Sequence, residues 1–268
     1  MIVCLSVLLL IGFGYVIAMR GRVGHPGLSA LRGWHYAHRG LHGNGVPENS
    51  MEAFRLALEA GYGIELDVHL LADGNLAVFH DSSLKRVAGA EVKIENLTTE
   101  DLDQYRLMDT EEKIPLFQDV LDLYQGKAPM IVELKAYHGN HAPLCEAVCK
   151  MLDRYEGVYC LESFDPRCIK WLKDNRPELI RGQLSENFFK TKNKMAFPIR
   201  FIMSLLLTNF INRPDFVAFK FTDRKNLSVW LSRKLWGIQG VTWTIKSQED
   251  LDQASEEGYI SIFEGFNP

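Results

Sequence analysis

The sequence predicts an α/β fold: a TIM (β/α)8 barrel with a small insertion after the second strand, preceded by one N-terminal transmembrane helix. Three observations carry this. Eight short, largely apolar runs recur from Trp34 to the C-terminus. Helical patterns separate most of them, the alternation of a parallel sheet covered by helices. Reactive side chains stand repeatedly at the carboxyl ends of these runs, where a parallel barrel carries its chemistry. An open doubly wound sheet is the competing architecture. No G-x-G-x-x-G turn follows the first run to support a nucleotide-binding version of it.

In chain order, Ile2 to Met19 holds no charged residue. That is about the minimum length for a membrane span. No basic residue precedes it, as a cleaved signal peptide would require, and Arg20, Arg22 and Arg32 follow. Basic flanks belong on the cytoplasmic side. The expectation is therefore a single-pass membrane anchor over residues 1–20, N-terminus outside, with the catalytic domain in the cytoplasm. A signal sequence that stays uncleaved is the alternative. Residues 21–33 read as a linker and residues 34–268 as the barrel domain.

The expected barrel strands are Trp34–His38, Gly63–Val68, Met130–Lys135, Val158–Phe164, Leu179–Leu184, Asp215–Lys220, Val241–Ile245 and Tyr259–Phe263. Asn49–Ala60 reads as the helix after the first strand, with Asn49 or Ser50 as its cap. Pro143–Tyr155, Pro166–Asn175 and Gln248–Glu257 read as later helices. Ala72-Asp73-Gly74-Asn75 is a turn signal, and Leu76–His80 a returning strand, so the chain leaves the barrel mouth near Asp67 and comes back near His80. Residues 82–115 are polar and turn-rich and form the expected insertion. Phe188–Arg213 starts basic and turns strongly apolar from Phe197 to Phe210. It offers either a buried barrel helix or a second surface resting on membrane lipid beside residues 2–19.

The 268 residues are 47% hydrophobic and 24% charged, with a net charge of −4, so the chain lacks the basic field of a nucleic-acid binder. Its five cysteines, Cys4, Cys145, Cys149, Cys160 and Cys168, are odd in number and form no pair-like or zinc-like frame. They read as reduced thiols, which suits the cytosol.

Chemistry is expected where the strands end. The first ends in His38-Arg39, the second carries Glu65 and Asp67, the returning hairpin ends in His80-Asp81, the third carries Glu133 and Lys135, and the seventh carries Trp243. Residues two apart on a strand share a face, so Glu65 with Asp67, and Glu133 with Lys135, point into the barrel. Three carboxylates in one mouth are costly unless a positive charge holds them. A hard divalent cation with oxygen ligands does this directly. Arg39 and Lys135 remain to meet a phosphate. His35, His42, His69, His138 and His141 are read as structural.

At these residues the sequence resembles the glycerophosphodiester phosphodiesterase family. The resemblance is carried by AHRG at Ala37–Gly40, PENS at Pro47–Ser50, GIELDVHLLADGNLAVFHD at Gly63–Asp81 and VELK at Val132–Lys135, with ESFD at Glu162–Asp165 and VTWTI at Val241–Ile245 downstream. It runs from about Trp34 to the C-terminus. It implies a TIM barrel and the metal ligands Glu65, Asp67 and Glu133 for one Mg2+ or Ca2+. It implies His38 and His80 as the acid–base pair, Arg39 and Lys135 near the phosphate, and Trp243 along the alcohol. The implied reaction is hydrolysis of a glycerophosphodiester to glycerol 3-phosphate and an alcohol. Cleavage of an acyl-bearing lysophospholipid is the alternative, and a non-enzymatic phospho-ligand-binding barrel a second one. The chain departs from the pattern at Ser50, where Thr is common, at Lys246, where Asn is common, and at Glu264-Gly265-Phe266, where a Thr-Asp-Pro-like stretch is usual. Glu48 is open between capping the helix dipole and standing behind the metal.

Overall fold

The computed structural model describes residues 2–192 and 195–268. Among the described residues nine strands form one sheet: β1 His35–His38, β2 Gly63–Leu70, β3 Leu76–Val78, β4 Met130–Leu134, β5 Tyr159–Ser163, β6 Arg181–Ser185, β7 Phe216–Lys220, β8 Gln239–Ile245 and β9 Tyr259–Phe263. Eight of them pair in parallel, and β1 pairs with both β2 and β9, so the sheet closes into a barrel. β3 is antiparallel to β2, with Val68 opposite Val78. This is the hairpin that the Ala72–Asn75 turn predicts.

The period of two along each strand sorts side chains to the two faces of the wall. Ile64, Leu66, Val68, Met130, Val132 and Leu134 face outward and pack with Phe54, Phe117, Val120 and Tyr124 of the helical layer. The alternate residues face inward, and they change character with height. Toward the strand starts the interior is apolar: Tyr36, Ile131, Cys160, Phe216, Val241 and Ile260 pack there, with Leu28 and Leu31 of the short helix Leu28–Leu31. Gly182 is small because of this filling, since a Cβ there would lie 2.0 Å from the Phe216 ring. Two residues beyond Tyr36, Gly63, Ile131, Cys160 and Val241 come His38, Glu65, Glu133, Glu162 and Trp243. The barrel thus has an apolar floor and a polar mouth.

Residues 82–115 carry short helices at Lys85–Ala88, Ile94–Asn96 and Thr99–Leu102. They pack on their own core, where Leu84, Val87, Ile94, Leu97, Leu102, Leu107 and Ile114 meet Leu71, Ala77 and Phe79 of the hairpin. Four of the five cysteines are buried and none is paired, while Cys4 is exposed.

The expected single-pass anchor is corrected by the structure. The apolar N-terminal helix is Ile2–Ala18, 17 residues, which rises about 25 Å and falls short of a hydrocarbon core of roughly 30 Å. Among the described residues no helix is long and apolar enough to cross a membrane; Met1 lies outside them. The last turn of this helix belongs to the barrel. Tyr15, Val16 and Ala18 pack on the cluster of Met19, Leu206, Val217, Phe219, Val229 and Ile238. Trp236 Nε1 donates to the Val16 carbonyl at 2.7 Å. The cytoplasmic assignment rested on Arg20 and Arg22 as flanks of a span, and it falls with the span. Arg22 is a staple to the barrel base, its Nη2 donating to Asp215 at 2.6 Å and to the Leu179 carbonyl at 2.9 Å.

The second apolar segment is not a buried barrel helix. In the helix Phe197–Ser204 only Met203 and Ser204 are buried, while Phe197, Ile199, Phe201 and Ile202 are exposed.

The helix Met51–Glu59 starts at Ser50, whose Oγ accepts from the Ala53 N–H at 3.1 Å. Capping falls to Ser50 and leaves Asn49 for another task. Ser50→Ala is expected to lower unfolding free energy by about 1 kcal/mol, read by urea denaturation, with turnover per folded molecule unchanged.

Candidate active site

Backbone geometry at the end of β1 shapes the mouth. Arg39 and Asn49 both adopt left-handed backbone, with φ of 55° and 53°, a region that non-glycine residues enter at a cost. They are tied to each other and to β2: the Arg39 N–H donates to the Glu65 carbonyl, and the Asn49 N–H to the Arg39 carbonyl, each at 2.9 Å. Asn49 is buried, and its Nδ2 donates to Asp67 Oδ2 at 2.9 Å. On the other side of β2, Phe79 N–H donates to the Asp67 carbonyl at 3.0 Å, which brings His80 back to the mouth.

Strand register sets the acidic centre. His38 pairs with Glu65, Asp67 with Glu133, and Glu133 with Glu162. Glu65, Asp67 and Glu133 are buried and offer oxygen atoms within 4.8 Å of one another. Burial, then the charges of Asp67 and Glu133, push the Glu65 carboxyl well above its ordinary range. Burial likewise raises Glu133, against the pull of Lys135. Burial would raise Asp67 too, but Lys135, His80 and Arg39 carry it far below the usual range. Lys135 Nζ lies 3.0 Å from Glu133 and 3.3 Å from Asp67, and Arg39 Nε lies 3.4 Å from Asp67. Arg39 also binds Glu48 through Nη1 at 2.8 Å.

This donor set fits a hard divalent cation. Asp67 Oδ1, 3.3 Å from the Lys135 ammonium, and Glu162 Oε2 are buried without a hydrogen bond, and oxygen-only ligands suit a hard cation. Glu162 is a fourth carboxylate that sequence reasoning missed. Its strand position, two after the inward Cys160, was the available signal. Burial and the charge of Glu133 raise its carboxyl well above the ordinary range.

The two histidines at the mouth are each backed by a carboxylate. His80 Nδ1 lies 2.6 Å from Asp81 Oδ1. His38 Nδ1 lies 2.7 Å from Glu264 Oε2, and its Nε2 lies 3.9 Å from Glu65. Burial lowers the His38 pKa, and the Glu264 hydrogen bond opposes it. The same bond brings Glu264 down to about 2, so this carboxylate is ionised. His38, Arg39, Glu65, His80, Glu133 and Trp243 line one small cavity, together with Glu162, Phe164 and Leu184. Of the residues read as structural, His69 is buried between Glu95, 2.8 Å from its Nδ1, and the His80 carbonyl, 3.2 Å from its Nε2. His42 approaches His38 and Glu264. Glu48 neither caps the helix nor stands among the carboxylates. It joins Arg39 to Arg86, whose Nη1 and Nη2 donate to it at 2.8 and 2.7 Å.

The model of the Glycerophosphoryl diester phosphodiesterase family matches residues 38–263. The chain belongs to that family. As a glycerophosphodiester phosphodiesterase it is a phosphoric diester hydrolase. It is 32% identical over 238 residues to a glycerophosphodiester phosphodiesterase of Caldanaerobacter subterraneus subsp. tengcongensis, a match covering 84% of this chain and 91% of that one. Over 134 residues it is 30% identical to a lysophospholipase D of Homo sapiens, covering 45% of this chain and 41% of the relative. Its fold is similar to that of a phosphodiesterase of Oleispira antarctica solved with the product sn-glycerol-3-phosphate, at a TM-score of 0.73 and 21% identity, with 91% and 95% of the two chains covered.

Without a cation the raised carboxyls make stability fall with pH. A group whose pKa is higher folded than unfolded contributes fully below its unfolded value and loses that contribution as pH rises through the folded one. Glu65, Glu133 and Glu162 follow this sign. Asp67 has the opposite one, and its contribution is complete above about pH 5. In EDTA, Tm is expected to fall as pH rises above the ordinary carboxylate range, and millimolar Mg2+ or Ca2+ to restore it. Differential scanning fluorimetry checks this, and Glu65→Gln or Glu133→Gln should abolish the cation-induced rise.

Proposed function

We propose that this glycerophosphodiesterase uses His38 and His80 as its proton-transfer pair on a diester held by Arg39 and Lys135. The observation that carries the reading is the matched state of the two rings. Each has a carboxylate beside Nδ1, and both line one cavity with Glu65, Glu133 and Glu162. A phosphodiester resists attack because its anionic oxygens repel nucleophiles. Arg39 and Lys135 supply charge-assisted donors to those oxygens. Mg2+ or Ca2+ held by Glu65, Asp67 and Glu133 would supply further positive charge to the phosphoryl group. One histidine accepts the proton of the attacking water or of the neighbouring glycerol hydroxyl. The other gives a proton to the departing alcohol oxygen. With water as nucleophile the products are glycerol 3-phosphate and that alcohol; with the glycerol hydroxyl a cyclic phosphate forms first and water then opens it to glycerol 3-phosphate. Trp243, on the cavity wall with Nε1 buried and unpartnered, borders the alcohol.

His38→Ala and His80→Ala are each expected to lower kcat by about 10²-fold or more, with unchanged circular dichroism. Release of glycerol 3-phosphate from glycerophosphocholine measures it. Turnover near wild type in either variant overturns the pair.

A second substrate class has its own support. Trp243 stacks edge-on with Phe164 at 5.8 Å, and Phe164 with Phe188 at 6.1 Å. Beside Phe188, Phe189 meets Phe197, and Phe197 meets Phe201, at 5.6 and 6.4 Å. The two aromatic groups adjoin through the neighbouring residues Phe188 and Phe189, one at the cavity wall and the other among exposed rings, and a lysophospholipid has an acyl chain to lay along them. The partial similarity to a lysophospholipase D fits the same substrate. Residues 187–247 also hold eleven Lys and Arg against two Asp, so the exposed apolar side chains stand in a cationic stretch suited to contact with lipid headgroups. Phe197→Ser/Phe201→Ser is expected to lower kcat/KM on lysophosphatidylcholine about 10-fold, near 1.4 kcal/mol, and to leave glycerophosphocholine turnover unchanged. Equal effects on both substrates would remove this reading.

A further inference from the structure

We infer that Glu264 is the positioning residue of His38, with Lys246 steadying Glu264 in turn. The inference rests on His38 as a proton-transfer group. A histidine serves in that step only if one ring nitrogen is held and the other is presented to the substrate. His80 obtains its holding group from the next residue, Asp81. His38 has no such neighbour, because Arg39 follows it. The carboxylate it needs arrives from the far end of the chain.

The barrel closure delivers it. β1 and β9 pair in parallel with Ala37 opposite Phe263, so the residues that follow, His38 and Glu264, stand side by side at the mouth. The Glu264 N–H donates to the Ile245 carbonyl at 2.9 Å, fixing its backbone to β8. Lys246, the next residue along β8, places Nζ 3.7 Å from Glu264 Oε1. Glu264 Oε2 is then left for His38 Nδ1 at 2.7 Å. An ionised carboxylate accepts and does not donate, so the proton of this contact sits on Nδ1. The free lone pair of the neutral ring is therefore on Nε2, the nitrogen nearest Glu65 in the cavity. Glu264 sets both the tautomer and the direction of the working nitrogen.

Glu264→Ala is expected to lower kcat by about 10- to 100-fold, with KM within about threefold. Long-range 1H–15N NMR of the full chain should show His38 losing its uniform Nδ1–H form. Lys246→Ala should produce a smaller loss of the same kind. In the His38→Ala background, Glu264→Ala should add no further loss, because a residue acting through another has nothing left to act on. Losses that multiply in the double variant, or a kcat loss with the His38 tautomer intact, overturn the inference. So does wild-type kcat in Glu264→Ala when His38→Ala is inactive. Wild-type turnover in His38→Ala itself would instead remove the proton-transfer reading, which separates the two failures. Should Glu264→Ala fail to fold, Glu264→Thr carries the same comparison.

Discussion

The structure is organised by the need to keep four carboxylates buried in one barrel mouth. Glu65, Asp67, Glu133 and Glu162 point inward from three neighbouring strands. In a low-dielectric site each pays for desolvation and repels the others. Lys135 reaches two of them and Arg39 one, so the protein's own cations leave the cluster short of positive charge. A bound cation would make up that shortage and leave more positive charge for an anionic ligand, so cation affinity, anion affinity and local stability are tied to one electrostatic balance. It also accounts for backbone that no packing argument would predict. Left-handed Arg39 and Asn49 place a guanidinium and an amide against Asp67.

The barrel meets this demand by a division along its axis. The same alternation that sends Leu66 and Val132 to the helices sends Glu65 and Glu133 inward. Apolar side chains below them, sealed by Leu28 and Leu31, keep the site from opening through the floor. The hairpin adds what a barrel strand could not. β3 runs against β2, and the residues after it bring His80 to a position beside Asp67, held from below by His69 and Glu95.

Much of this was legible in the sequence because it is written in short-range patterns. Strand positions follow from apolar runs, and pairs two apart place Glu65 with Asp67 and Glu133 with Lys135. What stayed hidden depends on register between strands distant in sequence. The strand period puts Glu162 on the inward face with Cys160, but its place beside Glu133 follows from the pairing of β4 with β5. Glu264 and Lys246 stood out as departures from the family pattern, but nothing local said that they face each other across 3.7 Å. The N-terminal helix failed for a different reason. Apolar length alone cannot tell a span from a helix whose last turn is part of a folded core, and Tyr15, Val16 and Met19 belong to the second kind.

The role of Glu48 shows why a residue near a site need not touch its chemistry to matter to it. It receives Arg39 on one side and Arg86 on the other, and Arg86 Nε donates to Asp81 Oδ2 at 2.6 Å. Asp81 holds His80 through its other oxygen. The chain Arg39–Glu48–Arg86–Asp81–His80 therefore joins the arginine proposed to meet the phosphate to one of the two histidines. Burial opposes ionisation of Glu48, yet Arg86 and Arg39 hold its carboxyl below the ordinary range, so it carries the negative charge that keeps two guanidinium groups close together. Without that charge the two arginines would repel, and both the placement of Arg39 and the support of His80 would loosen at once. His38 is held by an independent set of contacts on β8 and β9. The two histidines proposed to transfer protons are thus supported differently, one by contacts local in sequence and one by barrel closure, and the two supports adjoin where Arg39 follows His38.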